Sequence, residues 1–244
     1  MEILGIDIGG TGMKGAVVNT KTGELVSEKY RIPTPEGARP EDMTKIIGKL
    51  VNHFEWTGKI GCGFPATVFD GKVGTFGNLH ESWKGRQADK LFEAETGRKI
   101  NIINDADAAG LAEIKFGTGK GQKGTVIMIT LGTGIGSGMF YNGKLIPNIE
   151  LGLLPYKKDF HFELFAANAV RKKEDLSFKK WGKRLDKFLI LVDKIFSPEL
   201  LIIGGGISKK LHKYKPYFSI ETPVVQAEFK NEAGIVGAAL AANE

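Results

Sequence analysis

The sequence predicts an α/β fold built as two lobes, and three observations support this prediction. Apolar runs of strand length alternate with longer segments whose apolar residues recur at helical spacing, as in α/β proteins. Several of the predicted strands run directly into glycine-rich turns. The segment ITLGTGIGSGMFYNGKL, from Ile129, repeats the strand, Gly-Thr-Gly turn and strand that open the chain. A repeat about half a chain apart indicates two lobes of one plan.

The first half of the chain begins with two apolar runs, at residues 3–8 and 14–18, which predict strands on either side of the first glycine-rich turn. A helix is predicted next from one apolar face, formed by Met43, Ile46, Ile47, Leu50, Val51 and Phe54. Strands are expected at 59–64 and 99–103. A further helix is expected at 106–116, because Gly117 is a typical C-terminal stop.

The second half begins with a predicted strand at 125–131, which enters the second glycine-rich turn. A long helix before Pro198 is indicated by a second apolar face, formed by Phe178, Trp181, Leu185, Phe188, Val192 and Ile195. A strand at 199–203 then leads into three glycines, and the last helix is expected at 232–242. We therefore expect a small N-terminal lobe of residues 1–106, onto which the C-terminal helix 232–244 packs, and a larger lobe of residues 107–231.

The composition is typical of globular proteins, with 42% hydrophobic and 25% charged residues, but the charge is uneven. Residues 1–106 hold 14 Lys and Arg against 14 Asp and Glu. Residues 107–244 hold 20 against 14, and so carry the whole net charge of +6. The densest basic runs, at 171–184 and 208–215, are either solvated faces or a surface for a polyanion.

Other classes of protein are disfavoured by what the sequence lacks. The first residues do not form a basic stretch followed by an apolar run, and charge or glycine interrupts every long apolar segment. We therefore expect a cytoplasmic protein that does not enter a membrane. The single cysteine, Cys62, excludes an internal disulfide and a cysteine-based zinc site. No nucleic-acid-binding module is recognisable, so no nucleic-acid partner is expected.

The first glycine-rich turn, at residues 9–12, has the chemistry of a phosphate site. Backbone N–H groups in such a turn, together with a threonine hydroxyl, can bind phosphate oxygens. Its string GTGMKG matches the dinucleotide-binding pattern, but that pattern requires a helix after the glycines, and GAVVN reads as a strand. The P-loop pattern fails at GMFYNGKL, where Leu145 replaces the hydroxyl residue. Two such turns would hold a phosphate chain from both sides.

Five segments in order resemble one protein family: GIDIGGTGMKG, INDADAAGLAE, TLGTGIGSG, NIELG and LLIIGGGISKK. They resemble the sugar kinases of the ROK family, within the actin–hexokinase–Hsp70 superfamily. The segments GFP, NL…SW and LSFKKW are similar to the polyphosphate glucokinase branch of that family. The resemblance implies a two-lobed, actin-like ATPase fold of the ribonuclease H-like type. It also implies that no zinc is bound, because the zinc motif of the family is absent.

The resemblance implies a hexose kinase that transfers a phosphoryl group from polyphosphate or ATP to the 6-hydroxyl of glucose or a related hexose. Asp105 matches the catalytic base of the family, and a carboxylate there could take the proton of the attacking hydroxyl. Asp105 would also suit the N-cap of the following helix. The resemblance implies sugar contacts at Asn78, Asn104, Asp105, Glu150 and Glu163.

The resemblance also implies a phosphoryl-donor site. The phosphate-binding positions would be Gly9, Gly10, Thr11, Gly12, Lys14, Gly132, Thr133 and Gly134. Asp7 would orient Mg²⁺ through water near the transferring group, while Lys14 either offsets phosphate charge or points to solvent. Gly204, Gly205 and Gly206 match the nucleotide site of the family, and they also suit a strand-to-helix turn. The expected cofactor is Mg²⁺, and the expected donor is ATP or polyphosphate.

One position departs from the family pattern. The family has E-x-G-H, in which the histidine contacts the sugar, whereas this chain reads Glu150-Leu151-Gly152-Leu153. A sugar hydroxyl desolvated against leucine would cost about 1–3 kcal/mol. Three alternatives follow: weak glucose binding, another sugar such as mannose, fructose or an N-acetylated hexose, or a substitute residue. A catalytically silent sugar-binding protein also stays open. His161 is expected to be a surface residue, and family members are often homodimers.

Overall fold

The computed structural model describes residues 1–75 and 79–243 and divides the chain into two compact units. Unit 1 comprises Met1–Ala112 and Glu232–Glu244, and unit 2 comprises Glu113–Asn231. The expected boundary after residue 106 differs from this division, which falls inside a continuous helix, Asp105–Lys115. The reason lies in packing: Ala108 in the first half of this helix is fully buried against the sheet of unit 1.

Both units of the described chain combine strands with helices. The strands are β1 Glu2–Gly9, β2 Gly12–Asn19, β3 Tyr30–Ile32, β4 Ile60–Phe64, β5 Val68–Phe69, β6 Lys72–Val73, β7 Ile100–Asn104, β8 Thr125–Leu131, β9 Ile135–Tyr141, β10 Lys144–Ile146, β11 Pro155–Lys157, β12 Phe160–His161, β13 Leu200–Gly204 and β14 Val224–Gln226. The helices are α1 Pro40–His53, α2 Ala88–Thr96, α3 Asp105–Lys115, α4 Glu163–Ala166, α5 Asn168–Lys173, α6 Phe178–Phe196 and α7 Ala233–Ala241. The α/β class is therefore confirmed.

The main sheets of the two units have the same topology. In unit 1 the strand order is β3-β2-β1-β4-β7, and in unit 2 it is β10-β9-β8-β13-β14. The first three strands of each sheet are antiparallel, and the last two continue it in parallel. In both units the first two strands in sequence flank a Gly-Thr turn, so the repeated sequence pattern corresponds to a repeated strand arrangement.

Helix α1 shows how local sequence sets an element. Pro40 stands in its first turn, where a missing N–H costs nothing, and Glu41 and Asp42 lie at the positive end of the helix dipole. Of the predicted apolar face, Met43, Ile47, Leu50 and Val51 are buried, and Ile46 and Phe54 are partly buried. The sequence pattern did not predict α2, because only Ala88 and Phe92 of its nine residues are buried and the apolar period is weak.

Helix α7 is apolar on all sides and packs very close to the sheet of unit 1. A Cβ on Gly5 or Gly61 would overlap a backbone carbonyl of α7, and a Cβ on Gly237 would overlap the carbonyl of Ala108. These three glycines allow backbone to lie against backbone, which no larger residue permits.

The core of unit 2 lies between its sheet and helix α6. Ser177 caps this helix by accepting a hydrogen bond from the Lys180 N–H at 3.3 Å. The buried residues of the helix are Trp181, Gly182, Leu185, Phe188, Leu189 and Val192.

Among residues 1–75 and 79–243, no helix is both long enough and apolar enough to cross a membrane.

Candidate active site

The first glycine-rich turn joins β1 to β2 in unit 1. Gly9 and Gly12 pair across the two strands, so Gly10 and Thr11 form the tip of the turn. The hydroxyl of Thr34 donates to the Gly9 carbonyl at 2.6 Å and so fixes one side of the turn. This is a short, backbone-rich turn of the kind that binds anions, and its role in phosphate binding stays a prediction.

Charged side chains lie in a row across the sheet beside this turn. Asp7 on β1 is directly opposite Lys14 on β2, and Lys14 is directly opposite Arg31 on β3. Residues directly opposite each other project from the same face of a sheet. The Lys14 ammonium lies 2.9 Å from the Asp7 carboxylate, with side-chain exposures of 26% and 18%. Lys14 therefore pairs with the predicted metal-orienting carboxylate, an arrangement that the sequence alone did not show.

Arg31 is a residue that the sequence prediction missed. Its Nη2 donates to the Thr11 carbonyl at 2.6 Å. Its guanidinium lies so close to Gly12 that a Cβ there would overlap it. In the sequence Arg31 is visible as a basic residue, but nothing assigns it to a site. The strand that carries it, β3, has three residues, which is too short a pattern to predict its pairing with β2.

Asp105 is the first residue of α3 and follows β7 directly. The N-cap function belongs to Asn104, whose Oδ1 accepts hydrogen bonds from the N–H groups of Ala106 at 2.9 Å and Asp107 at 3.1 Å. The alternative reading of Asp105 as the N-cap is therefore wrong. Asn104 is 5% exposed, and its Nδ2 donates to the Ala66 carbonyl at 3.2 Å. Asp105 itself is half-buried, and the helix does not need its carboxylate as a cap.

The second glycine-rich turn, at residues 132–134 in unit 2, lies against a predicted sugar-binding residue. Glu163 begins α4, and its Oε2 would be 2.5 Å from a Cβ on Gly134. The same oxygen lies 3.5 Å from the Ile135 N–H, and Ala169 donates to the Gly132 carbonyl at 3.0 Å. The structure thus brings a predicted sugar ligand onto a predicted phosphate turn.

Glu150 is positioned by the buried Ser137 on β9. The Ser137 hydroxyl donates to the Ile149 carbonyl at 2.5 Å and accepts from the Leu151 N–H at 2.9 Å, so the residues on both sides of Glu150 are fixed. Burial raises the pKa of the Glu150 carboxyl above its usual range, and the negative charge of Glu163 raises it further. Glu150 and Glu163 therefore interact within unit 2.

The departure from the family pattern lies beside the short hairpin β11–β12 of unit 2. Leu153 is 41% exposed, and its carbonyl lies 2.8 Å from Nδ1 of His161. Because a carbonyl only accepts, Nδ1 must carry the proton in this contact. The strand pair β11–β12 holds His161 opposite Pro155. His161 is exposed, as expected, but it contacts the position at which the family has its histidine.

The third glycine-rich segment begins at the end of β13. Gly205 has a φ of +79°, and a Cβ there would lie 2.6 Å from the Leu131 carbonyl oxygen, so only glycine suits this position. Gly204 is the last residue of β13, and Gly206 has open space at its Cβ position. The structure thus gives these glycines a turn function, and nucleotide binding stays a prediction.

The basic runs lie on unit 2 and differ in what they contact. Arg184 on α6 pairs with Glu174 at 2.6 Å and donates to the Phe165 carbonyl at 3.1 Å, so it serves local structure. The other basic residues of these runs include nine exposed lysines: Lys172, Lys173, Lys179, Lys180, Lys183, Lys209, Lys210, Lys213 and Lys215. The predicted sugar-binding Asn78 lies outside the described residues.

Two mixed sheets of one topology, each with a Gly-Thr turn after its first strand, define the fold of the actin-like ATPases. The inorganic polyphosphate/ATP-glucomannokinase of Arthrobacter sp. strain KM has a TM-score of 0.94 with this chain, at 43% sequence identity, covering 98% of this chain and 97% of the other. The ROK glucokinase of Streptomyces griseus, solved with glucose and AMPPNP, has a TM-score of 0.87 at 23% identity, covering 100% and 99%, a similarity that shows the fold alone.

The sequence comparison assigns the family within this fold. Residues 3–148 match the ROK family. The polyphosphate glucokinase of Mycobacterium tuberculosis strain H37Rv is 44% identical over 97% of this chain and 89% of the relative. The chain belongs to the ROK family.

Proposed function

We propose that this protein is a hexose kinase that transfers a phosphoryl group from polyphosphate or ATP to the 6-hydroxyl of glucose or a closely related hexose. The observation that carries the proposal is the 44% identity, across 97% of the chain, to the mycobacterial polyphosphate glucokinase. The similarity to the Arthrobacter glucomannokinase supports the same activity and adds mannose as a substrate to test.

Asp105 is the proposed general base. Its carboxylate would accept the proton of the 6-hydroxyl while the hydroxyl oxygen forms a bond to the terminal phosphorus of the donor. The bond from that phosphorus to the bridging oxygen breaks, and the shortened donor leaves with the electron pair. The support from geometry is that Asn104 caps α3, so Asp105 is not required for that purpose.

The residues proposed to bind the sugar are Asn78, Asn104, Asp105, Glu150 and Glu163. The raised pKa of Glu150 suits a carboxyl group that is shielded from water and hydrogen-bonds to sugar hydroxyls. The buried amide of Asn104 already binds the N-terminus of α3 through Oδ1 and the Ala66 carbonyl through Nδ2. Contact with the sugar would use the remaining hydrogen-bonding capacity of this amide.

The phosphates of the donor would be bound by the two glycine-rich turns, with Lys14 offsetting charge. The chemistry of Asp7 fits Mg²⁺, which usually keeps several waters and takes one or two carboxylates together with substrate phosphates. Asp7 is such a single, partly exposed carboxylate beside a phosphate-type turn. When bound, Mg²⁺ would neutralise developing phosphate charge, and Gly204–Gly206 would contact the base of ATP.

Polyphosphate is the donor that the charge distribution favours. A long polyphosphate extends beyond the reacting phosphate, and the nine exposed lysines of the two basic runs supply positive charge for such a chain. Affinity for polyphosphate should then rise with chain length. It should also weaken with salt more steeply than affinity for ATP, because more counterions are released.

A second candidate is a sugar-binding protein with little or no turnover, and Leu153 in place of histidine favours it. One experiment separates the two: ATP and polyphosphate are each tested with glucose, mannose, fructose and N-acetylated hexoses. Transfer from at least one donor to at least one hexose is expected. Hexose binding without transfer from either donor would favour the second candidate and overturn the first.

A further inference from the structure

We propose that Arg31 is a catalytic residue that binds the terminal phosphoryl group of the donor, the group that is transferred. This inference rests on the proposed kinase function and adds a residue to it. Its basis is the placement of a guanidinium directly on the first glycine-rich turn of unit 1.

The guanidinium of Arg31 is held at the first glycine-rich turn. Arg31 donates through Nη2 to the Thr11 carbonyl at the tip of the turn, and the guanidinium covers Gly12. Arginine has five N–H donors in a planar fork, so one bond to a carbonyl leaves other donors for a ligand. A side chain already anchored in this way loses little further freedom when it binds an anion.

The charged side chains beside this turn do not cancel. In the row Asp7, Lys14 and Arg31, the Asp7 carboxylate is paired with the Lys14 ammonium at 2.9 Å. Within residues 1–75 and 79–243, Arg31 forms no ion pair with a carboxylate. The row therefore holds two cations and one anion, and Arg31 gives it a net positive charge for an incoming anion.

A guanidinium group also suits the chemistry of phosphoryl transfer. A guanidinium fork matches two oxygens of one phosphate, and such charge-assisted bonds are about twice as strong as neutral ones. In phosphoryl transfer the charge spreads over the equatorial oxygens of the moving group, and a positioned arginine stabilises that charge. The terminal phosphoryl group is the part that ATP and polyphosphate share, so Arg31 should serve both donors equally.

The test uses Arg31→Gln, Arg31→Lys and the matched control Arg39→Gln. Arg39 is also exposed, stands before α1, and makes no side-chain cap bond there. Glutamine keeps a side-chain N–H donor but loses the positive charge, so Arg31→Gln tests the charge of Arg31. We expect Arg31→Gln to lower kcat/KM by about 10²-fold or more with both donors, at an unchanged KM for hexose. Arg31→Lys should recover part of the loss, and Arg39→Gln should match the parent protein.

A second readout needs no turnover. Calorimetric titration with inorganic tripolyphosphate, in the absence of sugar, should show an affinity about tenfold weaker in Arg31→Gln than in Arg39→Gln. The proposal is overturned if Arg31→Gln keeps turnover and tripolyphosphate affinity within about threefold of Arg39→Gln, or if only one donor is affected. Failure of the kinase function itself would look different, because the unmodified protein would then transfer phosphate to no hexose.

Discussion

Replacement of Asp105 by asparagine tests the proposed chemistry most directly. The change removes a carboxylate but keeps the size of the side chain, so it removes the proton acceptor without leaving a cavity. A lost general base costs about 10²–10⁴-fold in turnover, which corresponds to about 3–5 kcal/mol of transition-state stabilisation. We therefore expect Asp105→Asn to bind hexose normally and to turn over at least about 10²-fold more slowly.

We also expect Asp105→Asn to lose little stability. Asn104 keeps capping α3, so the loss expected at this helix N-terminus is the favourable interaction with one negative charge. That interaction is worth about 0.3–1 kcal/mol, and for a protein of this size it corresponds to a Tm change of roughly 1–4 °C. By contrast, Asn104→Ala removes the cap, at about 1–2 kcal/mol, and should lower Tm more.

The measurements are initial rates of hexose phosphate formation with each donor, hexose affinity by tryptophan fluorescence, and Tm by calorimetry. The proposed role of Asp105, as a general base that does not cap α3, is refuted if Asp105→Asn retains turnover within about threefold of the parent protein. It is also refuted if Asp105→Asn is less stable than Asn104→Ala, because the cap would then belong to Asp105.

Three further changes have defined outcomes. Leu153→His should lower the KM for glucose about fivefold, since one restored hydrogen bond is worth about 1 kcal/mol, and an unchanged or higher KM in steady-state assays would mean that the pocket suits another sugar. Charge reversal of Lys179 and Lys180 to glutamate should raise the KM for long polyphosphate about tenfold or more while leaving that for ATP nearly unchanged, and equal effects on both donors would refute a separate polyphosphate surface. Gly61→Ala should lower stability by about 3 kcal/mol, because the added Cβ meets the Ala238 backbone rather than a movable side chain, and an unchanged calorimetric Tm would contradict this packing.

Short-range information in the sequence was sufficient for the strands of five or more residues, but not for the shorter strands or for α2, α4 and α5. The predicted strand at 125–131 matches β8, and the predicted strands at 3–8, 59–64 and 99–103 differ from β1, β4 and β7 by one residue at their ends. Helices α1 and α6 were indicated because their apolar residues recur at a helical period over several turns. The ROK family was also predicted correctly, since its segments are contiguous and keep their order.

The sequence could not show how residues far apart in the chain combine. Arg31 acquires its position only through the pairing of β3 with β2, and a three-residue strand carries too little pattern to identify its partner. In the same way, Ser137 fixes the residues around Glu150, and the hairpin β11–β12 holds His161 at the carbonyl of Leu153.

The assignment of the helix cap shows why tertiary structure was needed. Asn104 and Asp105 are adjacent, and both residue types are good N-caps. The boundary between β7 and α3 decides between them, and it is set by the pairing of Asn104 with Phe64 on β4. Sequence thus determined which local structures form, because period and turn chemistry act over a few residues. Only the fold determined which side chain meets which, because strand pairing and burial act between distant parts of the chain.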